Sequence, residues 1–186
     1  MGVARCRAAG TRLKDGRVLT TGGAMTDKSA TATAEVFEPG VGRWRPVASM
    51  WKARNGHAQV LLNDGRVLVV GGEGAERSAE TYDPRRDCWS ETPELAVARS
   101  RPGIVRLLDG RVMVVGSDAT SDATVEIYNP GRNRWSRVAD IPNDRGRPIM
   151  AVLDNGHVLV AGGGTSAVDL YDPAADRWIV GPPLEE

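Results

Sequence analysis

DGRVLVVGG, running from Asp64 to Gly72, occurs four times in this chain with small changes. The other copies are DGRVLTTGG (Asp15 to Gly23), DGRVMVVGS (Asp109 to Ser117) and NGHVLVAGG (Asn155 to Gly163). Each opens on an Asx-Gly pair, which suits a tight turn because Gly accepts positive φ and Asp or Asn tolerates it. The apolar run that follows suits a strand covered on both faces.

Working outward from that strand, each copy carries a second phrase: AEVFEP, AETYDP, VEIYNP and VDLYDP. These alternate like strands and stop at Pro39, Pro84, Pro130 and Pro173, since Pro cannot continue a central strand. Trp44, Trp89, Trp135 and Trp178 follow five residues after each Pro and seven after Phe37, Tyr82, Tyr128 and Tyr171. With a leading strand such as HAQVLL (His57 to Leu62) and a closing one such as CWSET (Cys88 to Thr92), each repeat holds four strands. The Trp spacings are 45, 46 and 43 residues. One such repeat cannot bury its own apolar surface, so neighbours must stack. The fixed spacing of the aromatics marks them as core, and their rings are expected to sit against the Gly-Gly pair.

The 186 residues carry 24 Lys+Arg and 24 Asp+Glu, so no net charge draws the chain to nucleic acid or a membrane. All but Lys14, Lys28 and Lys52 of those cations are Arg, the residue suited to bidentate recognition of anions. Cys6 and Cys88 fall at different phases of the repeat, so no disulfide is expected between them. MGVARCRAAG lacks the apolar stretch of a signal peptide. A cytoplasmic location is therefore expected, or a secreted one if the chain is part of a longer protein.

The DGRVLVVGG strand, the E-x-Y-D-P phrase, the Trp five residues on, and the linker Met50-Trp51-Lys52-Ala53-Arg54-Asn55-Gly56-His57-Ala58 together resemble the kelch repeat, in four copies that cover essentially the whole chain. Ser117 replaces the second Gly in repeat three, and Asn155 replaces the turn Asp in repeat four. The resemblance implies an all-β, kelch-type β-propeller of four blades, each of four antiparallel strands. The chain forms one domain over residues 1–186, with repeats at about 5–49, 50–95, 96–141 and 142–186. Kelch propellers usually have five to seven blades, so four must either splay into a closed ring or leave two apolar faces exposed. The Met start and in-phase end place closure within one chain first, ahead of a partial ring completed by self-association as a homodimer and of a fragment of a longer propeller.

Function is expected on the face that carries the blade-to-blade linkers and the loops between second and third strands. Those loops vary, with 11, 7, 8 and 5 residues between the Gly pair and the following acid, as binding faces of repeat arrays do. Arg5, Arg54, Arg99 and Arg145 recur before each innermost strand, where they ring the channel mouth or pair with the repeated acids Glu35, Glu80, Glu126 and Asp169. Two residues on stand Arg7, Gly56, Arg101 and Arg147. The three extra arginines have no repeated acid left to pair with, which points to a bound anion or acidic peptide. His57, at the start of an inner strand, joins these as a candidate binding residue. The expected function is a non-catalytic scaffold for a protein or peptide partner, with no cofactor and no metal. The alternative is an isomerase- or lyase-like enzyme acting on an anionic sugar or small acid at the same mouth. With His57 and His157 the only histidines, and at different strand phases, the copper chemistry of kelch-like oxidases is not expected.

Overall fold

The computed structural model describes Gly2, residues 4–117 and residues 123–184. Sixteen strands form four antiparallel sheets in strict chain order. Blade 1 is β1 (Ala9–Arg12), β2 (Val18–Thr21), β3 (Ala34–Glu38) and β4 (Arg43–Val47). Blade 2 is β5 (Ala58–Leu61), β6 (Val67–Val70), β7 (Ala79–Asp83) and β8 (Cys88–Glu91). Blade 3 is β9 (Gly103–Arg106), β10 (Val112–Val115), β11 (Val125–Asn129) and β12 (Arg134–Val138). Blade 4 is β13 (Pro148–Val152), β14 (Val158–Gly162), β15 (Val168–Asp172) and β16 (Arg177–Val180). The all-β, propeller-like architecture expected from the four phrases is what forms.

The repeated Asx residue sets each inner hairpin. Asp64 Oδ1 accepts from Arg66 N at 2.9 Å while its Oδ2 takes Arg66 Nε, and Leu62 N donates to Arg66 O at 2.8 Å to close the turn. Asp15 with Arg17 and Asp109 with Arg111 repeat this, and Asn155 caps His157 N at 3.0 Å. The arginine of DGR is thus a turn residue rather than a ligand.

Between blades, alternate residues of each second strand face opposite neighbours, which explains their double burial. Val67 and Val69 pack with Leu19 and Val36 of blade 1, whereas Leu68 and Val70 pack with Val112 and Val114 of blade 3. Met113 and Val115 then meet Val158 and Val160 of blade 4. The third-strand aromatic and the Trp form a cross-strand pair in every blade, ring centroids 5.0–5.2 Å apart. Trp89 Nε1 donates to Ala48 O, Trp135 Nε1 to Pro93 O and Trp178 Nε1 to Ala139 O, tying each outer strand to the preceding blade.

Two expectations need correction. The rings stack on each other and not on the Gly pair. A Cβ on Gly22, Gly71 or Gly116 would collide with the carbonyl of Arg54, Arg99 or Arg145, so the missing side chain admits the next blade's linker. The ring also does not close. Hydrophobic clusters join blades 1 and 2, 2 and 3, and 3 and 4, and among the described residues none joins 4 to 1. Inner strands touch from blade to blade as β1 with β5, β5 with β9 and β9 with β13, with no comparable contact of β13 with β1, so the partial ring is the form observed.

Candidate functional site at the mouth of the arc

The four repeated arginines are sealed inside their own blades. Arg54 donates to Gly71 O at 2.8 Å, Ser78 O at 3.1 Å, Ser78 Oγ at 2.9 Å and Glu80 Oε1 at 2.6 Å. Arg5 pairs with Glu35 at 2.9 Å, Arg99 with Glu126 at 3.0 Å, and Arg145 with Asp169. Arg54, Arg99 and Arg145 are fully buried. The acids also organise the incoming linker: Glu80 accepts from Trp51 N at 2.7 Å, Glu126 from Ala96 N at 2.7 Å, and Glu35 from Gly2 N at 2.7 Å. Burial pushes the Arg54 pKa down and the Glu80 carboxylate opposes it. Such a buried pair holds the linker at the start of each inner strand, although Nε of Arg5, Arg54 and Arg145 is left without a hydrogen-bond partner.

The second tier is different. Arg7, Arg101 and Arg147 meet with Gly56, His57 and Pro148 around a cavity of about 400 Å³ at the mouth, to which all four blades contribute. Arg7 and Arg147 are exposed, and Arg101 is half-buried with its stem against Gly56. Glu73 Oε1 takes both Arg101 at 2.9 Å and Arg7 at 3.4 Å. Two of the extra arginines, Arg7 and Arg101, therefore do share an acid. Glu73 stands directly after the Gly pair, where repeat three has Asp118 and repeats one and four have Ala24 and Gly164. An acid at that position in two of the four repeats was the signal in the sequence that could have shown it.

Backbone geometry sets Arg7 and Arg101 apart. Both have φ of 54°, in the left-handed region, and the corresponding residue of blade 2 is Gly56 with φ of 62°. A non-glycine residue there costs roughly 1–2 kcal/mol. The other positive-φ side chains among the described residues are Lys28, in the exposed turn after Asp27, and Asp87, Asn133 and Asp176, whose residue types tolerate this region.

His57 borders the same cavity but faces the blade 1–2 seam. Its Nε2 lies 2.7 Å from Thr21 Oγ1, whose own hydroxyl donates to Gln59 Oε1 at 2.7 Å. Thr21 must then accept from His57, which puts the ring proton on Nε2. Burial first, then the nearby Arg54 cation, pushes the His57 pKa down to about 3, so the ring is neutral. Cys6 and Cys88 are exposed free thiols. Among the described residues no group of three His, Cys, Asp or Glu side chains gathers to hold a metal ion. No helix is long and apolar enough to cross a membrane.

No protein-family model matches this chain, and no curated protein matches it either.

Proposed function

We propose that this chain is a kelch-type propeller scaffold that binds an acidic protein or peptide segment at the mouth lined by Arg7, Arg101 and Arg147. One observation carries the reading: the left-handed backbone of Arg7 and Arg101, where blade 2 uses glycine. Strain of that kind is retained at sites that use the side chain. Guanidinium groups recognise carboxylates through paired, charge-assisted hydrogen bonds. Glu73 holds two of them in place, and an incoming carboxylate would occupy the same donors. The repeated arginines are not part of the reading, since their side chains are buried and each is paired with an acid of its own blade. The proposed setting is the cytoplasm, with no cofactor.

The test is titration of a fluorescent Asp/Glu-rich peptide into the parent and into Arg7→Gly/Arg101→Gly. Saturable, salt-sensitive binding lost in the variant supports the scaffold reading. Equal binding by parent and folded variant would remove the function from this mouth. Turnover of an anionic sugar or small acid that vanishes in the variant would move the site to the enzyme class.

A further inference from the structure

We propose that blade 4 of one copy docks against blade 1 of a second copy, head to tail at both ends, so that two chains close one eight-bladed ring. The inference stands whether or not the mouth takes an acidic segment, because it rests on what the two free blade faces leave unmet.

Each internal junction uses the same two contacts, one backbone and one indole, and the free ends carry one unmatched half of each. Gly23 N donates to Arg54 O at 2.9 Å, Gly72 N to Arg99 O at 2.9 Å and Ser117 N to Arg145 O at 3.1 Å. The next donor in this series is Gly163 N and the remaining acceptor is Arg5 O, neither of which has a backbone partner among the described residues. The Trp series behaves alike. Trp89, Trp135 and Trp178 reach the carbonyl four residues past the preceding Trp, and by that rule Trp44 of blade 1 would take Pro182 O of blade 4. Gly162 completes the pattern: unlike Gly22, Gly71 and Gly116, a Cβ there would meet nothing.

The apolar plug between blades gives the clearest contrast. Met50, Leu95 and Ile141 each lie six residues after a Trp and hydrogen-bond back to their own blade at 2.9 Å, through Ala32, Arg77 and Ala123. Leu184 sits likewise six residues after Trp178 and bonds to Ser166 O at 2.8 Å. The first three are 4%, 0% and 2% exposed, covered by the next blade, while Leu184 is 50% exposed.

Two details fit the free faces to each other. At the first inner-strand position, Gly103 of blade 3 leaves room for Met150 and Pro148 of blade 4. Blade 4 itself has Ile149 there, 71% exposed, and the residues of blade 1 that would meet it are Gly10 and Ala8 in place of Met150 and Pro148. The volume is exchanged across the junction. Second, Ala48 N and Ala139 N donate to Asp87 and Asp176 of the following blade. At the free junction the donor position is Pro182, which has no N–H, and the acceptor position is Gly42, which has no carboxylate. The blade 2–3 junction, with Pro93 at the donor position, packs without that bond too.

Such an interface is heterologous, so it must close on itself to avoid open fibres. Propellers run to about eight blades. Two copies of four reach that limit and three exceed it. The second copy also completes the mouth, bringing its own Arg7 beside Arg147 and its Arg147 beside Arg7.

Sedimentation equilibrium of the 186-residue chain tests this, with twice 19.9 kDa as the mass expected. Leu184→Asp on the blade 4 face and Val18→Asp on the blade 1 face should each weaken the dimer by roughly 30-fold or more, as loss of an interface hot spot does. Circular dichroism of each variant checks that the blades remain folded. An equimolar mixture of the two variants retains one intact junction and should dimerise again. A parent that stays monomeric at every concentration overturns the proposal. So does a folded pair of variants that fails to reassociate on mixing, and so does a dimer weakened by only one of the two substitutions, which is the mark of a symmetric face-to-face dimer.

Discussion

Arg54 and Glu80 stand 2.6 Å apart with both side chains sealed from solvent, one guanidinium closing blade 2 upon its own linker. Arg54 reaches the second and third strands of the blade at once, through Gly71 O, Ser78 and Glu80. A buried charge with every neighbour arranged around it is costly to orphan. Arg54→Met should therefore destabilise the fold by about 3–5 kcal/mol, because it leaves the Glu80 carboxylate buried without its cation. Urea denaturation of the parent and variant measures this. A loss under about 1 kcal/mol would mean that the pair is not what holds the linker.

Trp89 is predicted to be structural throughout. It is 7% exposed, stacks on Tyr82 with centroids 5.0 Å apart, and bonds to Ala48 O of blade 1. Trp89→Ala should cost about 3–5 kcal/mol. Thermal denaturation should register that loss, and a folded variant defective only in ligand binding would contradict it.

His57 gives the fold a pH dependence of predictable sign. Its folded pKa is pushed down to about 3 from the ordinary value of 6.5, so between those limits the unfolded chain binds the extra proton. Stability then rises with pH in that window, falls as the solution is acidified below about 6.5, and changes by at most about 1.4 kcal/mol per pH unit from this group. In His57→Gln the amide can still donate to Thr21, but the titration is gone. Between pH 6.5 and 4.5 the variant's unfolding free energy should fall less steeply than the parent's, and parallel curves would show that His57 is not buried neutral.

At the mouth, stability and binding should separate. Arg7→Gly and Arg101→Gly relieve left-handed strain of roughly 1–2 kcal/mol each and lose ion pairs to a half-exposed Glu73 worth roughly 0–1 kcal/mol. Gly also adds freedom to the unfolded chain, by roughly 0.5–1 kcal/mol. The terms nearly cancel, so denaturation midpoints should stay close to the parent's while affinity for the acidic peptide is lost. Parent affinity should also drop as salt rises from 50 to 300 mM, a range chosen because the Debye length is about 8 Å near 0.15 M. Salt-independent binding would locate the contact away from these guanidinium groups.

How much of this was legible in the sequence depends on whether a feature is local to one repeat. Strand number, hairpin turns and the aromatic pairs recur with fixed spacing, and the Arg54–Glu80 pair recurs in every blade across 24 to 30 residues, because each is settled within about 45 residues. The site was only half legible. That Arg7, Arg101 and Arg147 share one cavity followed from their phase, but Glu73 as the partner of two of them did not, since it belongs to blade 2 while they belong to blades 1, 3 and 4. The role of the Gly pair was misread for a similar reason. The residue it makes room for, Arg54 against Gly22 or Arg99 against Gly71, comes from the next repeat.

The sequence by itself determined the blade: short alternating and doubly apolar runs, punctuated by Asx-Gly and Pro, permit only four antiparallel strands, and a backbone with one such pattern repeated four times must stack. Whether the stack closes was decided only in three dimensions. Closure depends on the angle at which Val67 and Val69 seat against Leu19 and Val36, and on the equivalent contacts at the other two junctions, a sum of small rotations that no single repeat encodes. That sum leaves Leu184 and Ile149 facing outward, though the sequence places them where their counterparts are buried or closely packed.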